Sequence, residues 1–307
     1  MKKLAELFEG VLPAEKITEN ADMSKLVTFR AGGHAELLLE PEDVNQLKKI
    51  LKIINSENLN LFIMGNGSNL LVKDGGFKGV IVKISGTAFN FTDIKSDGVT
   101  VIVGSGVLMS SFARFLAKNN LSGFEFAAGI PGTIGGAVFM NAGAYGGEIK
   151  DVLVSVKLVS RDGAREFELT SEELLMGYRH SLLHDTGDVV LEATFKFERD
   201  IQSEIEGKMN DFNNQRREKQ PINYPSAGST FKRPDGYIAA KLIQDANLKG
   251  YKVGGAEVSQ KHSGFVINKG GATATDILQV MNHCMEQVQK EFGVVLEPEV
   301  RILGEDA

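Results

Sequence analysis

Residues 127–148 read AAGIPGTIGGAVFMNAGAYGGE, with glycine at 129, 132, 135, 136, 143, 146 and 147. A glycine backbone has no Cβ to hold a ligand off, so such a run admits a flat or anionic group against bare peptide. It matches neither the dinucleotide fingerprint GxGxxG nor the phosphate loop GxxxxGK[ST], which leaves a Rossmann or P-loop fold unsupported. A second string of this kind, Gly65-Asn66-Gly67-Ser68-Asn69, follows the compact apolar run LNLFIM (59–64). Glycines at 65 and 67 permit positive φ and let amide N–H groups converge on an anion, while Ser68 and Asn69 add side-chain donors. A tight turn of purely structural origin accounts for these five residues equally well.

Around these strings, strand and helix patterns alternate. Pro41 precedes apolar residues at Val44, Leu47, Ile50, Leu51 and Ile54, which is helical spacing, and VIVKI (80–84) predicts a strand closing a first unit near residue 90. A second unit opens with VTVIVGSG (99–106) and a helix carrying Leu108, Phe112, Phe115 and Leu116 on one side. DVLVSVKLV and REFEL flank the turn Arg161-Asp162-Gly163-Ala164, and DVVLEATFKFE (188–198) alternates at period two, so antiparallel strands are predicted. Residues 201–219 predict a connector helix with Ile201, Ile205, Met209 and Phe212 on one stripe, ending before Pro221. The remainder predicts helices around 237–248 and 275–292 with strands AEVS, GFVIN and VVLEPEVRIL. The pattern is α+β, divided at 1–90, 91–205 and 206–307.

Composition narrows the class. At 307 residues the chain exceeds one core on a prior of about 150 residues per domain. Apolar content of 42% with 24% charged residues is that of a soluble globular protein, and 34 glycines against 7 prolines point to tight loops rather than disorder. No stretch offers about 18 consecutive apolar residues, and Glu6 and Glu9 stand where a signal peptide would need an apolar run. A cytoplasmic protein without membrane insertion is expected. The net charge of -6 gives no support for a nucleic-acid partner. The one cysteine, Cys284, falls in an apolar-periodic helix, where a small buried hydrophobe is expected rather than a reactive thiol.

Three further strings carry polar chemistry. His180 and His184 stand four apart in YRHSLLHD, a spacing that suits metal binding on a helix face, but the glutamate of HExxH is missing and no metal is expected. Arg179 beside them always carries charge and calls for an anionic partner, either substrate or a structural carboxylate. In NYPSAGSTFKRP (223–234), Ser226 and Ser229 lack the GxSxG elbow of a hydrolase nucleophile. In LEPEVR (296–301), Glu297 and Glu299 share a face of a strand-like run, and Pro298 marks it as an edge. The residues by themselves describe an anion-binding α/β protein.

Taken in order, TFRAGGHAELLLEP (28–41), MGNGSNLLV (64–72), AGIPGTIGGAVFMNAGAYG (128–146), YRHS (178–181), SAGSTFKRP (226–234), LIQDANLKGYKVGGAEVSQKHSGFVIN (242–268) and LEPEVR resemble the UDP-N-acetylenolpyruvoylglucosamine reductases. These are flavoenzymes of bacterial peptidoglycan precursor synthesis. The resemblance runs from about residue 20 to 304.

It implies a vanillyl-alcohol-oxidase-like (PCMH-type) region of two subdomains, 1–90 and 91–205, holding non-covalent FAD, and a substrate-binding domain, 206–307. NADPH reduces the flavin and leaves; the enolpyruvyl ether of UDP-N-acetylglucosamine then accepts hydride at its terminal carbon. Arg179, in the YR motif, is implied to stabilise the enolate and carboxylate. Ser229, in the GS of SAGSTFKRP, is implied to donate the proton, and Glu299, the glutamate of EVR, to help polarise the carboxylate. Glu297 is set aside on the motif alone. The flavin is implied to lie on Gly65, Asn66, Gly67, Ser68 and Asn69, on Gly129, Ile130, Pro131, Gly132, Thr133, Gly135 and Gly136, and on Asn141, Gly143, Tyr145 and Gly146. Arg217, Lys219, Lys232 and Arg233 are candidates for the UDP diphosphate. A monomer is expected. Longer family members insert a segment with a tyrosine that covers the substrate, whereas here the strand ending near Glu198 runs directly into the connector helix, so the chain resembles the shorter class.

Overall fold

The structure, a computed structural model, describes residues 4–306. Among them are seven α-helices: α1 (Val44–Ser56), α2 (Met109–Lys118), α3 (Ile134–Met140), α4 (Leu183–Thr186), α5 (Gln202–Lys219), α6 (Ala239–Asp245) and α7 (Ala274–Phe292). Helix α1 begins where the Asp43 carboxylate accepts the Gln46 amide at 2.9 Å, and it buries Leu47, Ile50, Leu51 and Ile54. Each of those side chains contributes at most about 2 kcal/mol of transfer free energy. In α2 the buried stripe is Met109, Phe112, Ala113, Leu116 and Ala117. Leu108 is the N-cap residue and lies 40% exposed, so the helix starts one residue too late for it to join the predicted face.

The chain forms two compact units. One comprises the described residues of Met1–Glu19, Leu37–Asn66 and Gly79–Asn214; the other comprises those of Asn20–Glu36, Gly67–Lys78 and Gln215–Ala307. A four-stranded sheet has the order Ile17–Asp22, His34–Leu39, Phe77–Lys83, Leu61–Met64. The first unit holds a five-stranded sheet in the order Glu166–Thr170, Leu153–Val159, Val189–Lys196, Thr100–Gly104, Thr92–Ile94, and every pairing in it is antiparallel. Its first hairpin turns on Asp162, whose carboxylate accepts from Ser160 Oγ and the Ala164 amide, while Gly163 supplies a φ of +71°. Phe112, Phe124, Phe195 and Phe197 pack in this unit's core with ring centroids 5.1 to 6.3 Å apart, a range favourable for edge-on aromatic contact.

The second unit is assembled from segments far apart in the chain. Leu70–Val72 pairs in parallel with Arg301–Leu303, and the Asp74 carboxylate accepts the amides of Ala274 (2.9 Å) and Thr275 (2.7 Å) at the start of α7. Burial alone would raise the Asp74 pKa, but the Thr275 hydroxyl and these amides outweigh it and hold the carboxyl below its usual range. Asn268 is saturated: its Nδ2 donates to the carbonyls of Phe29 and Arg30, and its Oδ1 accepts from Gly270 and Ala272. Segments 20–36 and 67–78 are thereby stitched to the C-terminal third. Only Arg301–Leu303 of the predicted strand VVLEPEVRIL forms a ladder; upstream of it a single bridge joins Pro298 to Phe231.

Candidate active site

In the first unit, Gly65 and Asn66 meet the 129–136 string. A Cβ on Gly65 would collide with Thr133 Oγ1, and Asn66 Nδ2 donates to the Pro131 carbonyl at 2.5 Å. Thr133 caps α3, and the amides of Ile134 and Gly135 are spent on the carbonyls of Val107 and Ser105. The amides of Asn66, Gly67 and Ser68 enter none of the loop's hydrogen bonds among the described residues. Uncommitted backbone donors at 66–68 could receive an anion, whereas the amides of 134 and 135 are already used. Gly129 and Gly132 are half-buried, Ile130 packs against the core, and Pro131 and Gly136 are exposed. Gly65→Ala is expected to yield a folded but colourless protein that takes up no added FAD, checked by its absorbance after reconstitution. Gly136→Ala, whose Cβ would meet only Thr133 Oγ1 at 3.6 Å, should keep the flavin.

Several residues of the flavin set do other work. Asn141 is 0% exposed, and its Nδ2 donates to Glu148 Oε2 (2.7 Å) and to the Gly177 carbonyl (2.9 Å) while its Oδ1 accepts from the Lys150 amide (3.0 Å). Its side chain is committed to hydrogen bonds within the protein. Gly143 is a glycine because a Cβ there would strike the Gly147 carbonyl and Glu148 across the short hairpin 143–148. Tyr145 (φ +52°) and Gly146 (φ +88°) form its exposed tip, and the Tyr145 ring stacks on Phe212 of α5 at 4.6 Å. In the second unit Asn69 donates its side-chain amide to the Glu299 carbonyl at 3.1 Å.

Arg179 sits in the first unit at the tip of a two-residue turn closed by reciprocal bonds between Gly177 and His180. Its φ is +55°, left-handed backbone that a side chain adopts at a cost of about 1 kcal/mol or more. Arg179 Nη2 donates to the Gly143 carbonyl at 3.2 Å, and the guanidinium lies 5.0 Å from the Tyr178 ring centroid. His180 and His184 do not share a helix: His184 belongs to α4 with its ring tilted against Phe139 at 3.9 Å, while His180 closes the turn. No cluster of three or more metal-ligating side chains occurs among the described residues. Burial pushes the Cys284 thiol up to about 12, which keeps it protonated and unreactive.

In the second unit, residues 229–232 and 297–299 run side by side. Phe231 bridges Pro298, the Glu299 amide donates to the Thr230 carbonyl (2.9 Å), and the Lys232 amide donates to the Glu297 carbonyl (2.8 Å). Thr230 is fully buried and fixed on its other side, its Oγ1 accepting the Val266 amide at 2.9 Å. Ser229 next to it is exposed and Glu299 is half-buried. Glu297 forms an ion pair with Lys232 at 3.3 Å, 69% and 42% exposed, which supports setting Glu297 aside and gives Lys232 a carboxylate partner.

Arg217, Lys219 and Arg233 are exposed. The second unit also holds a basic cleft of about 290 Å3 lined by Lys241, Gln244, Lys249, Lys261, His262 and Ser263. Burial lowers the His262 pKa, and the Lys249 ammonium adds to this, so the imidazole is neutral at neutral pH. Sequence reasoning missed this cleft because its lysines are spread over 241–261 with no local period. Lys261 reaches from it to the Arg217 carbonyl.

Known proteins match both ends of this description. Residues 35–166 match the FAD binding domain, and residues 220–303 match the C-terminal domain of UDP-N-acetylenolpyruvoylglucosamine reductase. The chain is 50% identical over 292 residues to the UDP-N-acetylenolpyruvoylglucosamine reductase of Clostridium perfringens strain SM101, covering 95% of this chain and 94% of that protein. It is 47% identical over 305 residues to that of Clostridium botulinum strain Alaska E43, covering 99% of each. The crystal structure of the Thermus caldophilus enzyme superposes with a TM-score of 0.80 at 34% identity, covering 92% of this chain and 98% of that one. Fold and matches together define an FAD-dependent oxidoreductase of the α+β class. The chain belongs to the UDP-N-acetylenolpyruvoylglucosamine reductase family. It reduces the enolpyruvyl group of that sugar nucleotide in peptidoglycan synthesis, with FAD as its cofactor.

Proposed function

We propose that the reduction runs in two half-reactions with NADPH as hydride donor to the first, and that Arg179, Ser229 and Glu299 act on the enolpyruvyl group in the second. When bound, non-covalent FAD supplies hydride from N5 to the terminal carbon of that group. Negative charge then develops on the carbon beside the carboxylate, which calls for a fixed cation and a positioned proton donor. Arg179 supplies the cation. Ser229 donates its hydroxyl proton to that carbon; a serine is a weak acid, but a carbanion-like centre is a strong base. Glu299, in its protonated form, donates a hydrogen bond to the substrate carboxylate.

The observation that carries this reading is the pairing of 229–232 with 297–299. It fixes the Ser229 and Glu299 backbones, 70 positions apart in sequence, through the Thr230 carbonyl. The amides of 66–68 hold the FAD pyrophosphate, with Gly65 and the 129–136 string as the wall. Tyr145 at its exposed hairpin tip stays a candidate contact of the bound groups. The cleft around Lys249, in which Lys241 is paired with Asp245, joins Arg217, Lys219, Lys232 and Arg233 as candidates for the UDP diphosphate. Only Asp200 and Ile201 separate the strand ending at Arg199 from α5, consistent with the shorter class of the family.

Subdomains 1–90 and 91–205 holding FAD, with 206–307 taking the substrate, and a monomeric cytoplasmic enzyme complete the proposal. No helix among the described residues is long and apolar enough to cross a membrane. Steady-state assays test it: NADPH is consumed in proportion to the enolpyruvyl sugar nucleotide supplied. Equally fast consumption in air without that acceptor would mark an oxidase instead.

A further inference from the structure

We propose that Asn141, with Ser181, is a positioning residue that holds the Arg179 turn in register for the second half-reaction. Both side chains are 0% exposed, and both tie the C-terminal end of α3 to this turn. Asn141 spends one Nδ2 hydrogen on the Gly177 carbonyl, the residue that closes the turn, and the other on Glu148 Oε2. Ser181 Oγ donates to the Phe139 carbonyl at 2.7 Å, two residues before Asn141. Arg179 then donates to the Gly143 carbonyl, two residues after Asn141. The arginine is thus gripped on both sides of its own turn and at its tip by one short stretch, 139–143.

Asn141 is also the left-handed C-cap of α3, with φ +42° and ψ +57°. Asparagine tolerates this conformation, but glycine takes it at less cost and is the commoner residue at such a helix end. A capping role alone would therefore be served by glycine. What glycine cannot supply is the amide that joins Glu148, Gly177 and Lys150. Glu148 in turn is held by the Lys150 ammonium at 2.8 Å and by a reciprocal cap with Asp151, so the anchor for the Asn141 amide is itself fixed. A charged side chain strained into left-handed backbone keeps one geometry only where its surroundings over-determine it, and these buried bonds are those surroundings.

The proposal rests on the reading of Arg179 as the enolate stabiliser, and the experiment separates the two. Asn141→Gly keeps the cap and deletes the amide; Ser181→Ala removes one buried hydroxyl and serves as the second variant should the first fold poorly. Each is made in the full-length FAD-loaded enzyme, alone and together with Arg179→Met, and the two half-reactions are measured separately. Misplacing a catalytic group by about 1 Å slows a step by about 10- to 100-fold. The expected result is such a loss in the second half-reaction with flavin reduction by NADPH unchanged, and no further loss when Asn141→Gly is added to Arg179→Met. Multiplicative losses in the double variant, or equal slowing of both half-reactions, would show a general structural role and overturn the proposal. An unimpaired Asn141→Gly beside a crippled Arg179→Met would overturn it alone. An unimpaired Arg179→Met would remove the Arg179 reading and the proposal with it.

Discussion

Arg179→Gly is expected to leave the fold within about 1 kcal/mol of the parent protein while slowing the second half-reaction on the order of 10²- to 10³-fold. The two effects have separate causes. Arg179 occupies left-handed backbone at φ +55°, where glycine relieves the steric strain but adds chain entropy to the unfolded state, and the two terms nearly cancel. The guanidinium makes its bond to the Gly143 carbonyl from a half-buried position, so little is lost from the core. The activity loss is that of removing one preorganised cation from a developing enolate. Thermal unfolding and single-turnover reoxidation check the pair. A variant that unfolds several degrees lower yet turns over normally would make Arg179 a structural residue.

Ser229→Ala is expected to spare flavin reduction and to slow the second half-reaction by about 10²- to 10⁴-fold, the range for removing a positioned acid. Ser229 is exposed, and its segment is fixed by the neighbouring Thr230 rather than by its own hydroxyl, so stability should change by less than about 0.5 kcal/mol. The two half-reactions are followed separately by anaerobic stopped-flow absorbance. If both slow by the same factor, the defect lies in flavin binding or folding, and the proton comes from elsewhere.

How much of this was legible in the sequence depended on the range of the interactions. Helix α1 could be read because Leu47, Ile50, Leu51 and Ile54 repeat at local spacing, and the 153–170 hairpin because Asp162-Gly163 is a local turn. Assignment of segments 20–36 and 67–78 to the second unit could not be read. The bonds that make it join Asn268 to Phe29 and Asp74 to α7, about 200 positions or more apart, and leave no period in either segment. The run 294–303 looked like one strand because valine, leucine and isoleucine dominate it, yet only Arg301–Leu303 enter a ladder and Pro298 forms an isolated bridge.

The site divides in the same way. The motifs singled out Arg179, Ser229 and Glu299 as candidates, and the last two lie on adjoining backbones. They also drew in Asn141, whose side-chain bonds to Glu148, Gly177 and Lys150 no local pattern announces. The cleft around Lys249 left no trace, since a lysine that lines a pocket and one that faces solvent are the same letter.

Anaerobic titration of the NADPH-reduced enzyme with the enolpyruvyl sugar nucleotide bears most directly on the proposed two-step reduction. One equivalent should restore the yellow absorbance of one flavin without oxygen, in the parent protein rapidly and in Ser229→Ala far more slowly. A reduced flavin that the nucleotide leaves colourless, but that air reoxidises at once, would contradict it.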